Sequence, residues 1–249
     1  MTLRHAISTP EGKRRYVRSL FATIADRYDF ITVALSYGQD RRWKRRVIAM
    51  AAPRPGSRAL DLATGTGDIA FGLARLGARV VGLDITQRMI ELARDKAAAQ
   101  PAKVGFLVGD MLALPFPDRS FDIVTTGYGL RNVPDLDTAI REVARVLRPG
   151  GRFLSLDFNR PESTVLRVCF LAYLTVVGGL LGWLLHGDPD TYRYIPASIQ
   201  RYPGGEGVAA RLSAHGFTNV RVIPLLFGLM TLHSASGPAR SIDSRASGR

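Results

Sequence analysis

The chain has 249 residues, 46% of them hydrophobic, and a formal net charge of +13. That apolar content suffices for one full core and excludes a chain disordered as a whole. The single cysteine, Cys169, excludes an internal disulfide framework and a cysteine metal site. The positive excess concentrates before Gly56, where twelve Lys and Arg stand against four Asp and Glu. Such a field attracts nucleic acid, anionic lipid or phosphorylated ligands, or is a solvated basic surface. The N-terminal stretch lacks the apolar core of a signal peptide, so a cytoplasmic setting is expected.

In chain order, Tyr16, Val17, Leu20 and Ile24 recur at helical spacing and predict a helix over residues 10–26. A second, basic helix follows over 41–52 and is stopped by Pro53 and Pro55. From residue 58 the texture changes. Short apolar strands are predicted at 58–62, 79–84, 104–108, 121–125 and 153–158, with helices between them at 68–76, 87–100 and 136–147. A helix at 208–215, closed by Gly216, and strands at 220–226 and 229–233 complete the set. Alternation of strand and helix with short connections means an α/β fold, a mostly parallel sheet of seven strands with helices on both faces. The expected organisation is a basic helical lid over 1–55, a main domain over 56–235 with an apolar insertion at 162–200, and a disordered Ser/Gly/Arg-rich tail over 236–249.

Within the insertion, residues 168–185 carry no charge and just reach the length of a membrane span. A true span conflicts with the strands on either side belonging to one sheet. The segment is read instead as a helix that is buried or rests on a membrane, kinked near Gly178 and Gly179, with Cys169 packed inside.

Three strand ends carry candidate chemistry. Asp61-Leu-Ala-Thr-Gly65-Thr66-Gly67-Asp68 turns from a strand into a helix, and its glycines let the backbone approach a ligand closely. It is neither a dinucleotide fingerprint nor a phosphate loop. Asp84 ends the next strand before Ile85; its carboxylate can accept both hydroxyls of an adenosine ribose, or cap the helix that follows. Asp110 and Met111 follow the third strand, placed to accept from an adenine amino group and to pack on its ring, or to form a plain turn. Their order at three successive strand ends is where open α/β sheets bind ligands. The four histidines have no ligand spacing, so no metal site is expected.

This order resembles the Rossmann-like class I S-adenosylmethionine methyltransferases, and Leu114-Pro-Phe-Pro-Asp118 and Val146-Leu-Arg-Pro-Gly-Gly151 continue the resemblance. At Gly129-Leu-Arg-Asn-Val-Pro134 it narrows to the ubiquinone/menaquinone biosynthesis C-methyltransferase family of the UbiE type. Tyr28-Asp29, Leu35-Ser36, Trp43-Lys44, the run Gly187–Ile199 and Leu232-His233 are similar to that family too, so the match covers nearly the whole domain. Thr32, Asp40, Gly127, Asp157 and Asn159 depart from its pattern; none falls in the main cofactor loop, and together they bear on the acceptor.

The resemblance implies S-adenosyl-L-methionine as cofactor, held by Asp61, Gly65, Thr66, Gly67, Asp84, Ile85, Asp110, Met111 and Gly127. It implies C-methylation of a demethylmenaquinol or related prenylated quinol, with Tyr28, Arg131 and Asn132 as catalytic candidates. Arginine stays protonated, so Arg131 is expected to stabilise a developing phenolate; the plainer alternative is a salt bridge to a carboxylate such as Asp135. Nucleic acid is not an expected partner. Peripheral contact with anionic lipid on the inner face of the membrane is expected, and a homodimer is a further candidate. Methylation of another small molecule, or a non-catalytic basic protein binding lipid or RNA, are the alternatives.

Overall fold

The computed structural model describes residues 8–36, 38–100 and 104–239. Three helices open the chain. Helix α1 (Pro10–Ile24) begins with Pro10 in its first turn and Thr9 as its cap, Thr9 Oγ1 accepting from Gly12 N at 3.1 Å. Helix α2 (Tyr28–Leu35), which the sequence reading lacked, and α3 (Asp40–Ala51) follow.

The main domain then runs β1 (Arg58–Leu62), α4 (Asp68–Arg75), β2 (Arg79–Asp84), α5 (Gln87–Ala98), β3 (Val104–Val108), β4 (Phe121–Gly127), α6 (Leu136–Val146) and β5 (Leu147–Phe158). Helices α7 (Thr164–His186), α8 (Tyr194–Arg201) and α9 (Gly204–Ala214) precede β6 (Thr218–Leu225) and β7 (Met230–Ser236). The seven strands lie in the order β3-β2-β1-β4-β5-β7-β6. The first five run parallel to one another, and β7 runs antiparallel to both β5 and β6. The order reverses at β1 and β4, which opens a crevice at their carboxyl ends.

Alternation along the strands divides the core in two. Leu60, Leu62, Val124 and Phe153 pack against Ile140 and Val143 of α6 and Val208 and Leu212 of α9. Ala59, Val80, Ile123 and Leu154 pack against Val47 of α3 and Leu73 of α4. Helices therefore cover both faces, as the near-continuous apolar strands require.

Three expectations change. Strand β7 extends through Ser236, which pairs with Arg152 and Thr218, so residue 236 belongs to the sheet and not to a tail. The long β5, which starts at Leu147, supplies the extra pairing length. Residues 240–249 of the expected tail lie outside the described residues.

Second, α7 is one unbroken helix of 23 residues with no kink at Gly178–Gly179. Its glycines serve close packing: a Cβ on Gly182 would stand 2.5 Å from the Asp188 carbonyl, and one on Gly178 would stand 3.2 Å from Tyr192 Cβ. The turn carrying Tyr192 thus lies directly on the helix. Third, Cys169 is exposed, because the outer face of α7 is left uncovered. That face presents Val165, Val168, Val176, Leu180, Trp183 and Leu184, with Val165 75% and Trp183 61% exposed.

Candidate functional site

Two cavities meet at the crevice. The first, about 670 Å³, lies at the carboxyl ends of β1, β2 and β4 and beyond β3. Gly65, Asp84, Ile85, Asp110, Met111 and Gly127 of the predicted cofactor set line it. Asp84 is buried and already braces the turn: Oδ2 accepts from Gly65 N and Oδ1 from Thr86 N, both at 2.9 Å. Burial raises its pKa, opposed by these backbone donors. Each carboxylate oxygen keeps acceptor capacity beyond these bonds. Gly65 has φ +54°, and its Cα faces the Tyr28 ring, where a Cβ would stand 3.5 Å from Cε1. The chain needs a glycine there to turn.

Asp61, Thr66 and Gly67 do not line this cavity. Asp61 points to the α3/α4 side of the sheet, opposite Thr125 in the β1–β4 register. It accepts from Thr64 Oγ1 at 2.6 Å and Thr125 Oγ1 at 2.7 Å. Burial pushes its carboxyl up to about 6. Its observed contacts brace the glycine turn from below. Thr66 Oγ1 donates to Asp29 Oδ1 at 2.6 Å. Gly67, φ +91°, precedes α4, and a Cβ there would meet Phe71 at 2.8 Å.

The sequence reading missed α1 as part of this wall. Arg14, Val17 and Phe21 share one helical face and line the cavity. Arg14 pairs with Asp110 across it at 2.8 Å, while Asp110 Oδ1 accepts from Leu112 N at 2.9 Å. Lys13 donates to the carbonyls of Arg131 and Val133 at 3.0 and 2.6 Å, which ties α1 to the turn after β4. Burial, then the charges of Arg131 and Arg201, lower its pKa to about 8. The signal was available: the 14, 17, 21 spacing is as periodic as the core positions already used.

The second cavity, about 760 Å³, is walled by α1, α2, the start of α8 and the residues around β7. Its lining is nearly all apolar, with Leu20, Ile31, Phe158, Phe170 and Met230 among its side chains. Tyr28, Phe21 and Tyr128 line both cavities and form the partition between them. Burial raises the pKa of both phenols, so each remains a hydroxyl. Asn132 Nδ2 donates to the Tyr128 carbonyl at 2.7 Å, and its Oδ1 is buried with no partner beside the first cavity. Tyr194 Oη, in the second cavity, is likewise buried and unpartnered. Buried polar atoms are seldom left unsatisfied, so these two mark where ligand atoms belong. The residues present therefore fit an adenosyl cofactor in the first cavity and an apolar acceptor with few oxygens in the second.

Arg131 lines the apolar cavity but is firmly held within the protein. Its Nε contacts Asp157 Oδ1 at 3.2 Å, its backbone N donates to Asp157 Oδ2 at 3.0 Å, and Nη1 donates to Ser198 Oγ. Its Cζ lies 5.1 Å from the Phe158 ring centre. The alternative of a salt bridge to Asp135 is corrected in its partner: Asp135 instead caps α6, accepting from Asp137 N and Thr138 N. Asp157, one of the departures from the family pattern, is the true counter-charge. It is 1% exposed, and burial raises its pKa against the pull of Arg131.

A model of the ubiE/COQ5 methyltransferase family matches residues 9–237. The chain is 42% identical over 221 residues to the demethylmenaquinone methyltransferase of Thermus thermophilus, covering 88% of this chain and 100% of that protein. It is 37% identical over 235 residues to the ubiquinone/menaquinone biosynthesis C-methyltransferase UbiE of Geobacter sulfurreducens, covering 91% and 89%. A SAM-dependent methyltransferase from Aquifex aeolicus shares the fold, with a TM-score of 0.56 at 17% identity over 78% of this chain and 88% of that one.

Proposed function

The chain belongs to the ubiE/COQ5 methyltransferase family and is an S-adenosylmethionine-dependent methyltransferase; from that premise we propose that its acceptor is a demethylmenaquinol or a closely related prenylated quinol. The observation that carries this reading is the pair of adjoining cavities, one at the strand ends that holds the Asp84 and Asp110 carboxylates and one nearly all apolar, with Tyr28, Phe21 and Tyr128 as their common wall.

When bound, the cofactor supplies an electrophilic methyl group on a sulfonium sulfur. Asp84 would hold its ribose and Asp110 and Met111 its adenine, with Gly65 and Gly127 allowing close approach. The protein's main contribution is orientation: two reactants held in line by opposite walls of one partition. Tyr194 Oη, in the apolar cavity, is the free partner for an acceptor oxygen, Asn132 Oδ1 stands on the cofactor side, and Arg131 contributes fixed positive charge beside the ring. Expulsion of water by the closely packed N-terminal helices strengthens each of these contacts. The test is direct. Purified protein given S-adenosylmethionine and a demethylated prenyl naphthoquinol should yield, by mass spectrometry, a product heavier by one methylene. Absence of that product, with cofactor binding intact, sinks the reading.

The same reading places the enzyme against a membrane. A prenylated quinol is nearly insoluble in water, and the uncovered apolar face of α7 stands on the helix whose inner residue Phe170 lines the acceptor cavity. Phe227, 92% exposed, adds a second apolar point. Exposed Arg41, Arg42, Arg45 and Arg46 add attraction to anionic lipid of about 1 kcal/mol for each residue near the surface. The protein is expected to float with anionic vesicles and to be partly released by high salt, which screens the charged part alone. Leu180→Glu with Trp183→Glu should weaken flotation at low salt, where the arginines still act, and abolish it at high salt. If wild type fails to float, α7 is a lid and not a membrane contact.

A further inference from the structure

Transfer of a methyl group to a quinol ring carbon releases one proton per turnover, and the acceptor cavity has no histidine, carboxylate or lysine among its lining residues. Among the described residues, no histidine lines either one. The ionisable groups facing the acceptor cavity are the four tyrosines Tyr28, Tyr128, Tyr192 and Tyr194, whose phenols burial holds protonated, and Arg131, fixed in its pair with Asp157. Asp157 is close by but is engaged by Arg131.

One of the tyrosines is connected differently. Tyr128 Oη donates to Asp40 Oδ1 at 2.8 Å. Asp40 is 1% exposed and is held by its backbone N donating to Ser36 Oγ at 3.0 Å. Its second oxygen, Oδ2, pairs with Lys44 Nζ at 2.8 Å. Lys44 reaches on to Asp68 Oδ2 at 2.9 Å, and the Asp68 side chain is 41% exposed. A small polar cavity of about 300 Å³, lined by Tyr28, Tyr128, Lys44, Thr66 and Asp68, lies along this route on the far side of the partition. A continuous line of hydrogen-bonded groups thus runs from the junction of the two cavities to solvent. The other tyrosine with a titratable partner, Tyr192 against His186 Nε2 at 2.9 Å, lines the acceptor cavity only and lies away from the junction.

We propose that Tyr128 and Asp40 form the proton relay of this enzyme, with Lys44 and Asp68 as its exit to solvent. Tyr128 is the catalytic residue, since it borders the acceptor; Asp40 acts through it. The acceptor's O–H bond breaks, its proton passing to Tyr128 Oη while the proton of Tyr128 passes to Asp40. The ring carbon's electron pair forms the bond to the methyl carbon, and the carbon–sulfur pair stays on sulfur. Tautomerisation then moves the hydrogen of the methylated carbon to the carbonyl oxygen and restores the aromatic ring, so the net product is one proton held on Asp40. Lys44 keeps its own proton, which the Asp40 and Asp68 carboxylates hold against burial, and the proton on Asp40 leaves along the small polar cavity that Lys44 and Asp68 line. The charged and titratable groups facing the Tyr128–Asp40 pair are Lys44 on its own helix, Asp68 on α4, Tyr28 on α2 and Asp157 on β5. The position of Asp40, a departure from the family pattern, is what builds the pair in this chain.

This inference rests on the quinol reading, and the test separates the two. Wild type, Asp40→Asn and Tyr128→Phe are assayed with S-adenosylmethionine and a detergent-dispersed demethylated prenyl naphthoquinol from pH 6 to 9.5. Both variants should lose about a hundred-fold or more in kcat at neutral pH, the scale of a removed general base. Cofactor affinity by calorimetry should stay near wild type in both, and so should the melting temperature of Tyr128→Phe, while Asp40→Asn, which leaves buried Lys44 with Asp68 alone, should melt lower. Their residual rate should rise with pH across the range as solvent takes the proton, where wild type levels off, and the double variant should be no slower than either single one. Tyr128→Phe removes one oxygen and keeps the ring, so it carries the test if Asp40→Asn does not fold. Unchanged kcat in Tyr128→Phe overturns the relay alone. So does a loss equal at every pH, which marks a merely structural bond. No turnover by wild type overturns the quinol acceptor and the relay with it.

Discussion

Replacing Arg131 with alanine is expected to cost roughly 3–5 kcal/mol of stability, because it leaves the Asp157 carboxylate buried without its counter-charge. Both side chains are almost fully buried, at 4% and 1% exposed. The pair also joins three elements: the turn after β4 holds Arg131, β5 holds Asp157, and α8 supplies Ser198. Turnover should fall along with stability, since Arg131 walls the acceptor cavity. The cost also has a predictable sign with pH. Burial raises the folded-state pKa of Asp157, and Arg131 is the main force holding it down. Without Arg131 the pKa climbs further above its unfolded value near 3.9. A group raised in this way favours folding while protonated and loses that contribution as pH rises through its folded pKa. The deficit of Arg131→Ala should therefore be small near pH 4 and larger at pH 8. Urea denaturation of variant and wild type at the two values checks it; an equal deficit at both contradicts the buried-pair account.

Asp84→Ala should weaken S-adenosylmethionine binding by roughly 1–3 kcal/mol, the scale of lost charge-assisted hydrogen bonds. The structure adds a second route to the same loss. Asp84 ties Gly65 N to Thr86 N, so removing it frees the glycine turn as well as the ribose site. The turn would then pay its ordering entropy on binding. Calorimetry of the folded variant reads the sum; an unchanged Kd with an intact fold removes Asp84 from the cofactor site.

The alternation of apolar strands and amphipathic helices, the three acidic strand ends and the Gly-Leu-Arg-Asn run are all local patterns in the chain. They were sufficient for an α/β sheet of seven strands with a crevice at the carboxyl ends, because strand burial and strand-end chemistry are written within a few consecutive residues. Local pattern was a poorer guide wherever a residue's role depends on what lies across the fold. Asp61 and Asp84 both belong to strands that end in a turn, yet register sets Asp61 opposite Thr125 beneath the sheet while Asp84 ends its strand at the cavity. Arg131 took Asp157, 26 residues away, over nearby Asp135, because β4 and β5 are paired while Asp135 is committed to the start of α6. Gly178 and Gly179 read as a weak point in a helix until the turn of Pro189–Tyr192 is laid upon them. Tyr128 and Asp40, 88 residues apart, share no sequence signature at all. Sequence by itself determined the architecture and that the crevice lies at the strand ends; which strand-end residues face the cavity, which buried charges pair, and therefore which side chains remain free for the acceptor, was decided only by tertiary structure, since a buried charge takes whichever partner the packing brings within reach.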